Sequence, residues 1–178
     1  LTEFELIKGC TRQNQTCQRL LFDQYAGKFM TVCLRYANDQ MEAEDMLQEG
    51  FVRIFNNIHQ FKFEGSFEGW MRRIVVNVAL KHLQKKRIQF SEIKENSQDT
   101  PSLNASVFSH LGEEFLLKLI SELPTGYRIV FNMNAIEGYS HEEIAEQLNI
   151  QSSTSRSQLV KARKLLQQKI LDMQKIAV

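Results

Sequence analysis

Four acidic side chains, Glu42, Glu44, Asp45 and Glu49, cluster in one short stretch, and paired carboxylates are the raw material of general acid–base catalysis. Nothing near them supplies a nucleophile, a metal-ligand set or a phosphate cradle, so catalysis does not follow. Cys10, Cys17 and Cys33 are an odd set without CxxC spacing, which argues against a disulfide framework and a cysteine zinc site. Cys17 and Cys33 fall near apolar neighbours at helical spacing, and both read as small core residues in a reducing cytosol. His59, His82, His110 and His141 are scattered. The chemistry with a pattern is that of the cations. Arg156, Lys161, Arg163, Lys164 and Lys169 lie in a stretch with no acid between Gln151 and Ile170. Arg72, Arg73, Lys81, Lys85, Lys86 and Arg87 lie in another, with none between Met71 and Ile88. A merely solvated face usually mixes signs; unbroken positive runs suit phosphates.

The second cationic run belongs to residues 138–171, GYSHEEIAEQLNIQSSTSRSQLVKARKLLQQKIL. Ser140 followed by Glu143 is a capping box. It opens a short helix with Ile144, Ala145 and Leu148 on its apolar side. A turn is expected around Asn149, with Ile150 plugging the corner. A second helix starts among Gln151, Ser152, Ser153 and Thr154, side chains that suit a helix start, and buries Leu159, Ala162, Leu165 and Leu166. A short capped helix, a tight turn and a basic helix form a helix-turn-helix.

The first run belongs to residues 61–87. Gly65, Ser66 and Gly69 make a loop, and a long helix follows from about Phe67. Trp70, Ile74, Val75, Val78, Ala79 and Leu83 are spaced for its buried side. Aromatics beside a purely basic helix suit single-stranded DNA, whose bases stack while cations track the backbone. Trp70 is expected in the core, matching Ile74; Phe61 and Phe63 in the loop are open to either role.

The remaining elements are also helical. Residues 1–9 hold Leu1, Phe4, Leu6 and Ile7 for a short amphipathic helix. Over residues 14–36, Cys17, Leu20, Leu21, Tyr25, Phe29, Val32 and Tyr36 recur at three and four residues, until Asn38 and Asp39 break the pattern. Residues 41–55 place Met46, Leu47, Phe51, Ile54 and Phe55 on one side and Glu42, Glu44, Asp45, Gln48, Glu49 and Arg53 on the other. On residues alone that acidic side reads as a solvated face. The period fails over residues 89–106, a polar flexible linker with Pro101, and resumes over 107–123. Pro124 starts a helix to about Ile136, which Gly138 ends.

The expected fold class is therefore all-α, two small helical domains over residues 1–88 and 107–178 joined by that linker. At 178 residues and 43% hydrophobic, the chain can bury two cores. Its net charge of +1 sums unlike patches. No apolar run approaches the roughly eighteen residues that span a bilayer, and no signal-peptide pattern is present, so a cytoplasmic protein is expected. The chain opens at Leu1 rather than Met, and native residues ahead of it are expected.

In this order, the acidic helix, basic aromatic helix, linker and helix-turn-helix resemble the bacterial RNA polymerase sigma factors, specifically the extracytoplasmic-function group of the sigma-70 family. AEDMLQEGFVRIF resembles the polymerase-binding helix of region 2, and GSFEGWMRRIVVNVALKHLQKKR its promoter-melting segment. ELPTGYRIVFNMNAIEGYSHEEIAEQLNIQSSTSRSQLVKARKLL resembles region 4. The resemblance implies that Asp45, Gln48, Glu49 and Arg53 grip the β′ clamp helices of core RNA polymerase, which gives the acidic face a partner; the β subunit is a further contact. It implies that Asn77 recognises flipped bases of the minus-ten element, a capture that offsets lost stacking, with Arg72, Arg73, Lys81 and Lys85 serving the adjacent backbone. In region 4 it implies that Arg156, Ser157 and Val160 face the minus-thirty-five major groove of promoter DNA, while Lys161, Arg163 and Lys164 meet phosphates. Gln158 departs from the family, standing where a basic residue is frequent, and residues 151–155 are unusually rich in serine. The resemblance further implies no enzymatic activity, no cofactor, no metal, and an anti-sigma partner of a kind frequently membrane-bound. A stand-alone helix-turn-helix regulator would explain residues 140–171 but not the paired acidic and basic helices before them. An enzyme acting on nucleic acid lacks a catalytic constellation.

Overall fold

A computed structural model describes residues 1–85 and 112–176. The expected linker, residues 89–106, and the expected helix start at Val107 lie outside the described residues, as do Lys86 and Arg87. Every regular element among the described residues is helical. The chain divides into two compact units, Leu1–Lys86 and Arg87–Val178.

In the first unit, α1 (Glu3–Thr11) begins at a capping box in which Thr2 and Glu5 satisfy each other's backbone N–H groups. It is amphipathic as expected, but only two of the four expected apolar residues face the core. Leu6, Ile7 and Cys10 are buried, while Leu1 and Phe4 are 80% and 50% exposed. Helix α2 (Gln15–Tyr36) is capped by Asn14 and buries Leu21, Tyr25, Phe29, Val32, Cys33 and Tyr36. Leu20 is exposed. Cys17 is half-buried rather than core, because it lies at the α1–α2 corner against Gly9. A Cβ on Gly9 would come within 2.2 Å of the Cys17 sulfur, so only glycine permits this approach.

Helix α3 (Gln40–Asn57) packs against α2 and α4. Its cap corrects the reading of Glu42 as part of the acidic face. Asp39 accepts from the Glu42 N–H at 2.8 Å, and Glu42 Oε2 turns back to accept from the Asn38 backbone and side-chain N–H groups at 2.9 and 3.0 Å. Glu42 is accordingly 8% exposed, a buried polar group with its acceptor in use. A 3-10 turn (Ile58–Gln60) leads to the loop before α4 (Phe67–Lys85). Here α4 buries Met71, Val75, Val76, Val78, Ala79, Leu80 and Leu83. Trp70 and Ile74, expected in the core, are only half-buried. The apolar arc is centred about one position further round, where α4 meets Gly50 of α3; a Cβ there would be 3.2 Å from Val75 Cγ2.

In the second unit, α5 (Glu113–Ser121) and α6 (Thr125–Phe131) meet at Pro124. The C-terminal turn of α6 widens into a π-helical segment (Asn132–Ile136), marked by the Glu137 N–H donating to the Asn132 carbonyl at 2.9 Å. Arg128 is 2% exposed and donates to the Ser121 carbonyl at 3.1 Å, tying α6 to the end of α5. Helices α7 (His141–Leu148) and α8 (Ser152–Ile176) follow. Leu119, Ile120, Leu123, Tyr127, Ala162, Leu166 and Ile170 form one core cluster, with Phe115, Phe131 and Leu165 packed on it.

Candidate nucleic-acid interface

The helix-turn-helix is built as its residues dictate. Ser140 Oγ accepts from the Glu143 N–H at 3.1 Å, and Glu143 Oε2 accepts from the Ser140 N–H at 2.8 Å, closing the capping box of α7. Asn149 ends α7 in the left-handed region, φ 53°, a conformation asparagine tolerates. Ile150 is half-buried at the corner. Helix α8 buries Ser155, Gln158, Leu159, Ala162 and Leu166. Its opposite side carries Arg156, Ser157 and Val160, all exposed, with Lys161 and Lys164 half-exposed beside them. These five share a face by helical spacing. Val160 is 63% exposed, an apolar side chain presented to solvent amid donors.

Gln158, the departure noted in sequence, is 3% exposed; it belongs to the buried side of α8, not to the presented face. Ser155 is buried too, and its Oγ lies 2.8 Å from His141 Nδ1 on α7. The serines of residues 152–157 therefore do different work. Ser152 Oγ accepts from Arg156 Nη1 at 3.2 Å, and Ser157 Oγ donates to the Thr154 carbonyl at 3.0 Å. The Arg156 guanidinium is also held across the motif, with Nη2 donating to Glu142 Oε1 of α7 at 2.7 Å. No sequence spacing signalled that pair.

On α4, Arg73, Asn77, Lys81 and Lys85 are all exposed and recur every four residues, forming one stripe. Arg72 stands apart from it. It is half-buried and lies 3.8 Å from Glu68, which also bonds Lys28 of α2 at 2.8 Å. Of the aromatics, Phe67 and Phe61 are buried at 1% and 7% exposure. Phe63 is 49% exposed and adopts φ 59°, unusual for a bulky residue. It lies 5.2 Å from Phe4 and 5.3 Å from Phe61, centroid to centroid. Beside it is a cleft of about 250 Å³ lined by Ile7, Lys8, Arg12, His59 and Phe61.

On the acidic face of α3, Asp45 and Gln48 are exposed and Glu49 and Arg53 half-exposed. Met41 and Val52, which the apolar spacing left unassigned, are 74% and 57% exposed. With Asp45 and Gln48 they complete a stripe at positions 41, 45, 48 and 52. Glu49 is fixed from two sides. Oε1 accepts from Arg53 Nε and Nη2 at 3.0 and 2.6 Å, and Oε2 lies 2.6 Å from His82 Nε2 on α4. The His82 hydrogen bond foremost, and Arg53 after it, hold the Glu49 carboxyl below its ordinary range.

Among the described residues, no cluster of His, Cys, Asp or Glu could hold a metal ion, and no helix is long and apolar enough to cross a membrane. Burial pushes the Cys10 thiol up to about 11 and the Cys33 thiol to about 12, away from thiolate chemistry.

Residues 21–88 match sigma-70 region 2, and residues 115–166 match sigma-70 region 4. The chain is 30% identical over 152 residues to the ECF RNA polymerase sigma factor SigE of Mycolicibacterium smegmatis, covering 82% of this chain and 58% of that protein. It is 29% identical to the ECF RNA polymerase sigma-E factor of Haemophilus influenzae, over 96% of both chains. With the ECF sigma factor SigW of Bacillus subtilis it shares 27% identity, over 94% of this chain and 96% of that one. Among solved structures, the sigma factor RpoE of Bartonella quintana, crystallised with the anti-sigma factor NepR, matches with a TM-score of 0.53 at 18% identity, covering 86% of this chain and 96% of that one. CnrH, in complex with the cytosolic domain of CnrY, matches with a TM-score of 0.51 at 20% identity, covering 94% and 96%. At those identities the likeness is one of fold.

Proposed function

The chain belongs to the extracytoplasmic-function group of the sigma-70 family and directs promoter-specific transcription initiation, and we propose that it does so through three separate faces on its two units. The α3 stripe, with Asp45, Gln48, Glu49 and Arg53, docks on the β′ clamp helices of core RNA polymerase, with the β subunit as a second contact. Residues 1–88 act as region 2. Its α4 stripe follows the melted minus-ten strand, Asn77 at a base and Arg73, Lys81 and Lys85 along the phosphates, with Arg72 at the edge of that path. Residues 107–178 act as region 4. There α8 enters the minus-thirty-five major groove, where Arg156, Ser157 and Val160 meet base edges and Lys161 and Lys164 meet phosphates. The chain supplies specificity and bubble capture while the polymerase performs the chemistry; it is not itself an enzyme and works in the cytoplasm. The two neighbours of similar fold were each solved in complex with a partner, one of them an anti-sigma factor. We extend that kind of partner to this chain.

The observation that carries the reading is the pairing within the first unit of an acidic, partly apolar face on α3 with an α4 stripe that carries Arg73, Asn77, Lys81 and Lys85 and no acid, the two helices being joined by Glu49 and His82. A duplex reader needs the second unit alone; a polymerase-dependent factor needs both stripes of the first. The test is capture of bacterial core RNA polymerase by the full chain, followed by transcription from a promoter library. Polymerase capture with promoter-selective transcripts is the expected result. Tight duplex binding without polymerase capture would return the chain to the stand-alone regulators.

A further inference from the structure

The Arg156–Glu142 pair has no evident work in the fold. Its side chains are 54% and 67% exposed, and exposed ion pairs contribute little stability. Glu142 lies in the first turn of α7, where acid suits the helix dipole, but the capping there is done by Glu143. What the pair does is fix a long side chain. Arg156 is anchored by Ser152 one turn earlier on its own helix and by Glu142 on the other helix. A guanidinium has five N–H donors, so two anchors leave three for a ligand.

The carboxylate also changes what that ligand can be. An unpartnered arginine on a groove-facing helix is drawn to phosphate as readily as to a base. A carboxylate 2.7 Å from the guanidinium repels an approaching phosphate but leaves the N–H donors open to the neutral acceptors of a base edge, such as guanine O6 and N7. Repulsion of the wrong contact is as much a source of specificity as attraction to the right one. We infer that Glu142 is a specificity-determining positioning residue, which holds the Arg156 guanidinium to a base edge and away from the DNA backbone. The inference rests on the proposal that Arg156 faces the promoter groove.

The experiment is transcription by core polymerase loaded with the full chain, from promoters randomised across the minus-thirty-five element, for the wild type, Arg156→Ala, Glu142→Gln and the double variant. Arg156→Ala is expected to flatten the preference at one or two base pairs by roughly five- to 150-fold. Glu142→Gln is expected to flatten the same base pairs, by about threefold or more, with unchanged thermal denaturation and total output equal or higher. The double variant is expected to add nothing at those positions to Arg156→Ala, as for residues acting as a unit; a purely structural Glu142 would add. If Arg156→Ala flattens the profile and Glu142→Gln leaves it intact, this inference fails and base reading by Arg156 stands. If Arg156→Ala leaves the profile intact, base reading fails and this inference with it.

Discussion

Glu49 on α3 and His82 on α4 stand 2.6 Å apart, Oε2 to Nε2, and their bond joins the face that would dock on polymerase to the helix that would hold melted DNA. Arg53 completes the arrangement from one turn further along α3. The carboxylate is thus held in place by its own chain, which would lower the entropic cost of the proposed docking. A change in how Glu49 is engaged would be felt first at the C-terminal end of α4, next to Lys81 and Lys85.

The bond has a pH signature. Glu49 titrates below its ordinary value of 4.5 in the folded chain, so between the two values the unfolded chain binds more protons than the folded one. Stability from this group is therefore present above about 4.5 and lost as pH falls through the lower folded value. Thermal denaturation from about pH 3 to about pH 6 is expected to fall more steeply with acid for the wild type than for Glu49→Gln. Parallel curves would mean that the contact contributes nothing to the fold.

The exposed apolar residues of α3 extend the docking prediction beyond its charges. Val52 is 57% exposed, and burial of that remaining surface against a partner would gain about 1–2 kcal/mol. Val52→Asp is expected to weaken core polymerase capture by at least about tenfold while leaving the melting temperature unchanged. Gln48→Ala with Glu49→Ala is expected to abolish capture in a chain that remains folded. Wild-type capture by both variants would remove α3 from the interface.

Local signals fixed most of what could be read without a structure. Ser140 and Glu143 are three residues apart, and their capping box is made as the spacing requires; the same holds for Pro124 opening α6 and Asn149 closing α7. The helical period placed Phe29, Met46, Ile54 and Ala162 in the cores. Its errors lie where a neighbour decides. Trp70 matches Ile74 in spacing, yet the close α3–α4 approach at Gly50 sets which arc of α4 is covered. Glu42 shares a polar face with Asp45 in sequence but is turned back by Asn38. The pairs that shape the candidate sites, Glu49 with His82 and Glu142 with Arg156, are 33 and 14 residues apart, beyond any periodicity.

Two glycines within helices of the first unit are expected to respond oppositely to the same substitution. Gly27, exposed in α2, has nothing within 4 Å of an added Cβ, so Gly27→Ala is expected to stabilise by about 0.5–1 kcal/mol through helix propensity. An added Cβ on Gly9 overlaps Cys17 Sγ and lies 2.9 Å from Cys17 Cβ. Gly9→Ala is expected to destabilise by about 1–3 kcal/mol as overpacking. Denaturant midpoints of the two variants check both, and a stabilised Gly9→Ala would mean that the α1–α2 corner can open without cost.

The salt dependence of promoter binding separates the residues of α8 by role. Lys161 and Lys164 lie beside Arg156, Ser157 and Val160 on α8 and are half-exposed, and the proposed function makes them phosphate contacts. Each phosphate contact contributes about 0.9 to the slope of log affinity against log salt. Holoenzyme carrying Lys161→Ala and Lys164→Ala is expected to bind all minus-thirty-five variants more weakly by a common factor, with the slope shallower by about 1.8. Arg156→Ala is expected to leave the slope nearly unchanged and reduce only the preference among sequences, since its guanidinium is already neutralised by Glu142. If Arg156→Ala instead flattens the slope by about 0.9 and weakens every sequence equally, Arg156 binds phosphate, and the discriminating contact on α8 moves to Ser157 and Val160.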